Sequence, residues 1–159
     1  MDEKSLYEGC FLVAGGNFGD AGAVSSSIKK ILKKMQLPGD LVRKAGLVSY
    51  ESEINIVSYA RKGMIRLHVE PDYILIEAID EGPGIPDIEL AMQPGYSTAG
   101  PKIREMGFGA GMGLCNIKSF SDIFKISSEV GRGTYLKMII KTIRDSLHNR
   151  EKGSGMTWS

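Results

Sequence analysis

Apolar residues recur along this chain in two rhythms, and each rhythm marks a different kind of element. Val24, Ile28, Ile31, Leu32 and Met35 return at helical spacing and predict a helix that stops before Pro38 and Gly39. A second, longer helix is predicted from near Asp40 to Ala60, with Gly63 closing it. Ile65, Leu67 and Val69 then alternate with Arg66, His68 and Glu70, a half-buried strand. The turn "EPDY" leads into the more uniformly apolar "YILIEAID", so the pair reads as a hairpin whose second strand is buried. Upstream, "CFLVAGG" is a short apolar strand running into the glycine-rich "GGNFGDAG". Downstream, "GLCNIKSFSD" has helical character, and "IFKISSEVGRGTYLKMIIK" reads as a second hairpin turning at Gly131 to Gly133. Between the hairpins, from Pro83 to Gly113, glycine and proline are dense and only "IPDIELAMQ" has helical character. A stretch of that kind is either disordered or a functional lid, here placed from about Pro94 to Met112. Periodicity is lost after Lys141, so residues 144–159 read as a polar, frayed tail in which Trp158 is incidental.

Strand, two helices, hairpin, lid, helix, hairpin is not the strict alternation that a parallel sheet requires. The order predicts an α+β fold in which an antiparallel or mixed sheet carries its helices on one face. With 159 residues the chain fits one domain of ordinary size, large enough to bury a core without disulfides or metal. A net charge of +1 with no basic stripe interleaved with aromatics argues against nucleic acid as the main partner, and the one basic cluster, "IKKILKK", reads as a solvated helix face. Cys10 and Cys115 lack paired spacing, and neither His68 nor His148 has a second ligand at metal spacing, so no zinc is expected. No apolar run reaches membrane-spanning length, and the acidic start "MDEKSLYEGC" lacks a sustained apolar segment. The expected location is the cytoplasm, with no membrane partner.

Three local patterns carry candidate chemistry. In "ESEINIVSYA", Glu51 and Asn55 stand four residues apart beside an apolar stripe of Leu47, Tyr50, Ile54 and Val57. Alone, the pair reads as a solvated helix flank. Glu53, pointing elsewhere, reads as ordinary surface. In "AIDEGPGIPD", Asp80 ends a buried strand ahead of Gly82 and Gly84. A carboxylate there can accept from an exocyclic amine while the glycines let backbone approach a flat ring; a tight turn capped by Asp reads equally well. In "MGFGAGMGLCNI", Gly107, Gly109, Gly111 and Gly113 precede a helix, a phosphate cradle or a flexible linker. It is not a P-loop, because no Gly-Lys-Ser/Thr follows, and it fails the dinucleotide fingerprint at Met112 and Leu114.

Taken in order, helix "ExxxN", strand-end "DxGxG", lid and "GxGxGxG" opening a helix resemble the GHKL ATPase superfamily over about residues 6–142. "NIVSYA" and "DEGPGIPDIELAMQPGYST" are most similar to the RsbT-type and anti-sigma serine/threonine switch kinases of bacterial partner-switching systems. The resemblance implies a two-layer α/β sandwich, the Bergerat fold, with a mixed sheet and helices on one face, over a domain of residues 1–143. It implies ATP or ADP and Mg2+ as ligands, with Asn55 holding the metal and Glu51 as general base. By the same resemblance Asp80 reads adenine, Gly82 and Gly84 shape the ring slot, and Gly107, Gly109, Gly111 and Gly113 bind phosphate. Thr134, after "GRG", lines the adenine floor, and Lys102 and Arg104 face the γ-phosphate. The implied substrate is a STAS-domain antagonist, with a sigma factor or a downstream phosphatase as further partners and a homodimer as one assembly. The alternative function is a nucleotide-gated module that sequesters its partner without phosphoryl transfer. Glu51 favours the kinase, since a pure binding switch needs no base.

Overall fold

The computed structural model describes residues 5–96 and 112–142. Strand β1 (Tyr7–Ala14) leads through a single 3-10 turn (Phe18–Asp20) to helices α1 (Ala23–Lys34) and α2 (Gly39–Tyr59). Strands β2 (Lys62–Val69) and β3 (Tyr73–Glu81) follow, then the short helix α3 (Ile88–Ala91). Helix α4 (Gly113–Ser119) and strands β4 (Ile123–Glu129) and β5 (Gly133–Lys141) complete the described chain. The five strands form one sheet in the order β1-β2-β3-β5-β4, and every neighbouring pair is antiparallel. The sheet is therefore antiparallel throughout rather than mixed. The α+β layering is as the order of elements predicts, and the predicted lid falls mostly on residues 97–111, outside the described residues.

The period-two pattern of the strands decides which face is covered. Ile65 and Leu67 of β2, Ile74 and Ile76 of β3, and Met138 and Ile140 of β5 point to the helices and are buried. Their register aligns Leu67 with Ile76 and Ile76 with Met138, so the apolar rows run unbroken across the sheet. Ile28 and Leu32 of α1, Val48 and Ile56 of α2, and Ile117 of α4 close the core from above.

Helix α2 is enclosed more fully than its sequence suggests. Its core-facing side runs through Leu41, Ala45, Val48, Ser52 and Ile56, whereas Tyr50 of the expected stripe is exposed. Two serines on the enclosed surface hide that face from a hydrophobic count. Their hydroxyls are satisfied inside the helix, Ser49 donating to the Ala45 carbonyl at 2.7 Å and Ser52 to Val48 at 2.8 Å. Gly63 does not close α2: the helix ends at Tyr59, and Gly63 lies inside β2 opposite Asp80. A Cβ there would lie 3.0 Å from two carbons of Ile56, so glycine at 63 lets α2 settle onto the sheet.

Glu53 overturns its reading as ordinary surface. It is 2% exposed, and its carboxylate accepts from the backbone N–H groups of Gly22 at 3.0 Å, Val24 at 3.2 Å and Ser25 at 3.1 Å. These are donors that the start of α1 leaves without intrahelical partners, and no side chain of the N-cap residue, Gly22, supplies them. A carboxylate at a helix N-terminus also opposes the helix dipole favourably.

Candidate functional site

A cavity of about 540 Å³ opens between α2, the ends of β3 and β5, the α3 segment and the start of α4. Of the residues singled out in the sequence, Glu51, Asn55, Asp80, Gly84, Gly113 and Thr134 all line it. Gly82 is not part of the lining but stands beside Asp80, where a Cβ would be 3.0 Å from Asp80 Oδ1. Lys102, Arg104, Gly107, Gly109 and Gly111 lie outside the described residues.

At one end, helical spacing stacks Glu51 one turn before Asn55, and the first residue of α4 comes up against both. A Cβ on Gly113 would sit 3.2 Å from Glu51 Oε2 and 3.3 Å from Asn55 Oδ1. Only a residue without a side chain leaves the carboxylate and the carboxamide open to a shared ligand there. Asn116, one turn along α4, donates from Nδ2 to Glu51 Oε1 at 3.4 Å. Its signal in the sequence is a polar residue three positions after Gly113, on the same helical face.

At the other end, the β3–β5 pairing brings Asp80 to the start of β5. The Thr134 N–H donates to Asp80 Oδ1 at 3.1 Å. Gly133 is obligatory for that approach: its φ is +151°, and a Cβ would fall 1.9 Å from the Asp80 carbonyl oxygen. Burial pushes the Asp80 carboxyl above its ordinary value of 3.8, and the Thr134 hydrogen bond pulls it partly back. Ser128 organises the remaining wall. Its Oγ accepts from the Ile85 N–H at 2.8 Å and donates to the Gly133 carbonyl at 3.1 Å, while lying 2.9 Å from the Thr134 hydroxyl. With its own proton on Gly133, Ser128 receives the Thr134 proton, which leaves the Thr134 oxygen an acceptor. Ser128 carries no motif and reads in the sequence as one more strand residue.

The cavity joins a largely apolar lining to the Asp80 carboxylate and to the Glu51–Asn55 carboxylate–carboxamide pair. Such a lining suits a planar heterocycle bearing an amine. A lone carboxamide suits a hard cation whose charge is met elsewhere, by phosphate oxygens and water. No cluster of three or more His, Cys, Asp or Glu side chains at metal-binding separation occurs among the described residues. None of the described helices is long and apolar enough to cross a membrane.

Comparison with known proteins gives the same region a family. Residues 47–144 match the family described as histidine kinase-, DNA gyrase B-, and HSP90-like ATPase. The chain is 32% identical over 118 residues to an anti-sigma F factor of Caldanaerobacter subterraneus subsp. tengcongensis, covering 74% of this chain and 75% of that protein. An anti-sigma F factor of Clostridium acetobutylicum is 32% identical over 121 residues, 76% of each chain. The serine/threonine-protein kinase RsbT of Bacillus subtilis is 39% identical over 89 residues, 54% of this chain and 61% of that protein.

Proposed function

We propose a function from one premise: the chain belongs to the histidine kinase-, DNA gyrase B- and HSP90-like ATPase family. It is an ATP-dependent protein serine/threonine kinase of the bacterial partner-switching type, acting in the cytoplasm on a STAS-domain partner, with a sigma factor as a second partner. Relatives named as an anti-sigma F factor and as a serine/threonine kinase support both halves of that reading. Residues 1–143 form the ATP-binding domain, and residues 144–159 are a polar tail outside it.

The observation that carries the proposal is the convergence of Glu51 and Asn55 on the bare Cα of Gly113, in a cavity that Asp80 also lines. Asp80 accepts from the adenine amine, Gly82 and Gly84 shape the ring slot, and Thr134 forms its floor. Asn55 holds Mg2+, whose bound form supplies charge neutralisation at the phosphates. Gly107, Gly109, Gly111 and Gly113 present N–H groups to those phosphates, and Lys102 and Arg104 add positive charge. Glu51 takes the proton of the attacking serine or threonine hydroxyl. A base one helical turn from the metal ligand is within reach of a hydroxyl lined up on the γ-phosphate.

The test is phosphoryl transfer from labelled magnesium-ATP to STAS-domain proteins of the source genome. The wild-type chain labels a serine or threonine on one of them, and Glu51→Gln forms the same complex while transferring about 10²–10⁴-fold more slowly. Equal binding by both with no label on any STAS protein would replace the kinase by a nucleotide-gated sequestering module.

A further inference from the structure

A serine inside a helix ordinarily settles its hydroxyl by donating to a carbonyl one turn back. Ser27, Ser49, Ser52 and Ser119 all do so, to Ala23, Ala45, Val48 and Cys115. Ser58 of α2 does not. Its Oγ is buried and has no hydrogen-bond partner among the described residues. A buried hydroxyl left unpaired is a standing cost, and such groups in native proteins call for an explanation.

The position of Ser58 supplies one. It lies three residues beyond Asn55 and lines the same cavity as Asn55 and Asp80. Two residues further on, Ala60 packs against Gly82, where a Cβ would be 3.1 Å from the Ala60 Cα and 3.0 Å from Asp80 Oδ1. Ser58 therefore stands on the α2 wall of the cavity that the Asp80 carboxylate also lines. The carboxylate is an acceptor. An unpaired hydroxyl is a free donor. Adenine presents the complement of that pair on either side of its exocyclic amine, because the amine donates and the ring nitrogens flanking it, N1 and N7, accept.

We propose that Ser58 is a specificity-determining residue of the nucleotide site: its hydroxyl donates, directly or through one water, to the ring nitrogen beside the amine that Asp80 receives. The inference rests on the nucleotide-site reading and adds a contact that the sequence motifs do not contain.

The test is calorimetric binding of ADP, 1-deaza-ADP and 7-deaza-ADP to the wild type, Ser58→Ala and Ser58→Cys, so that no readout depends on transfer. Loss of one hydrogen bond predicts ADP binding about 3- to 10-fold weaker in both variants. The thermal midpoint of nucleotide-free Ser58→Ala should be unchanged or raised, since an unpaired buried group is removed. One deaza analogue should bind the wild type and Ser58→Ala equally, and that analogue identifies the nitrogen contacted. The other should retain the difference. Undiminished ADP affinity in both variants, or the same loss for ADP and both deaza analogues, would reduce Ser58 to a packing role and overturn the inference while leaving the site intact. Wild-type protein that binds none of the three would overturn the nucleotide site and this contact together.

Discussion

Glu53 and Asp80 are both carboxylates turned inward, and their surroundings give them opposite effects on stability. Glu53 receives three backbone N–H groups of the α1 start. Glu53→Ala strands those buried donors and should cost about 1–3 kcal/mol in urea unfolding, with Glu53→Gln losing less because one acceptor oxygen remains. Asp80 has a single N–H partner, Thr134, among the described residues, and burial raises its pKa. A raised carboxyl pKa means that the folded state holds its proton more tightly than the unfolded chain. The stability that this proton brings is complete below the ordinary value of 3.8 and is lost as pH rises through the folded pKa. At neutral pH the buried charge is a cost, so nucleotide-free Asp80→Asn should be more stable than wild type at pH 7. The advantage should shrink as pH falls toward the unfolded value, and urea titrations across that range measure it. Asp80→Ala should in turn lose about 1.5–3 kcal/mol of affinity for ATP and ADP alike, by calorimetry. A gain in bare stability that comes with a loss of binding is the pattern of a group kept for its ligand.

Among elements, α1 and α4 show how termini carry the design. Just past the end of α1, Gln36 has a φ of 60°. The Leu37 N–H reaches back to the Leu32 carbonyl at 3.2 Å and the Gln36 N–H to Lys33 at 2.9 Å, a Schellman ending at a position that favours glycine. Gln36→Gly should therefore stabilise the fold by about 1 kcal/mol in urea, without touching the cavity. Gly113 is the reverse case. Alanine suits a helix better than glycine, yet its Cβ would press on Glu51 and Asn55. Gly113→Ala should unfold no more easily than wild type while binding magnesium-ATP more weakly. The apolar periods of the sequence locate α1, α2, both hairpins and α4, because each of those segments has one dry side. They misplace the role of Gly63, whose meaning depends on Ile56 crossing above it, and they miss the buried face of α2 where serines stand in for apolar residues. Glu53 was illegible for a related reason: its partners are backbone N–H groups at the start of α1, 28 to 31 residues earlier in the chain, and nothing local to α2 announces them.

Over the whole molecule, the antiparallel order β2-β3-β5 is what assembles the cavity, since it sets Asp80 beside Thr134 and lays α2 and α4 across the same end of the sheet. The order of the motifs, and the family resemblance it carries, made Glu51, Asn55, Asp80, Gly113 and Thr134 legible as candidates, and all five line one cavity. Asn116, Ser128 and Ser58 were not legible, since a polar side chain on a helix or strand means nothing until its neighbour across the fold is known. A ligand seated among four elements binds only the folded chain and must stabilise it as a whole. At about 100 times its dissociation constant, ATP should add about 2.7 kcal/mol, an upward shift of about 5–10 °C in the thermal midpoint of a domain this size. The variants should divide that shift by role. Asp80→Ala should lose it for ATP and ADP, with or without magnesium. Asn55→Ala should lose the magnesium-dependent part for ATP. Glu51→Gln preserves shape, and with Glu51 in the proposed role of general base it should keep the full shift while losing transfer. A Glu51→Gln shift as small as that of Asn55→Ala would mean that the carboxylate acts through the metal, and the division between base and metal ligand would fall.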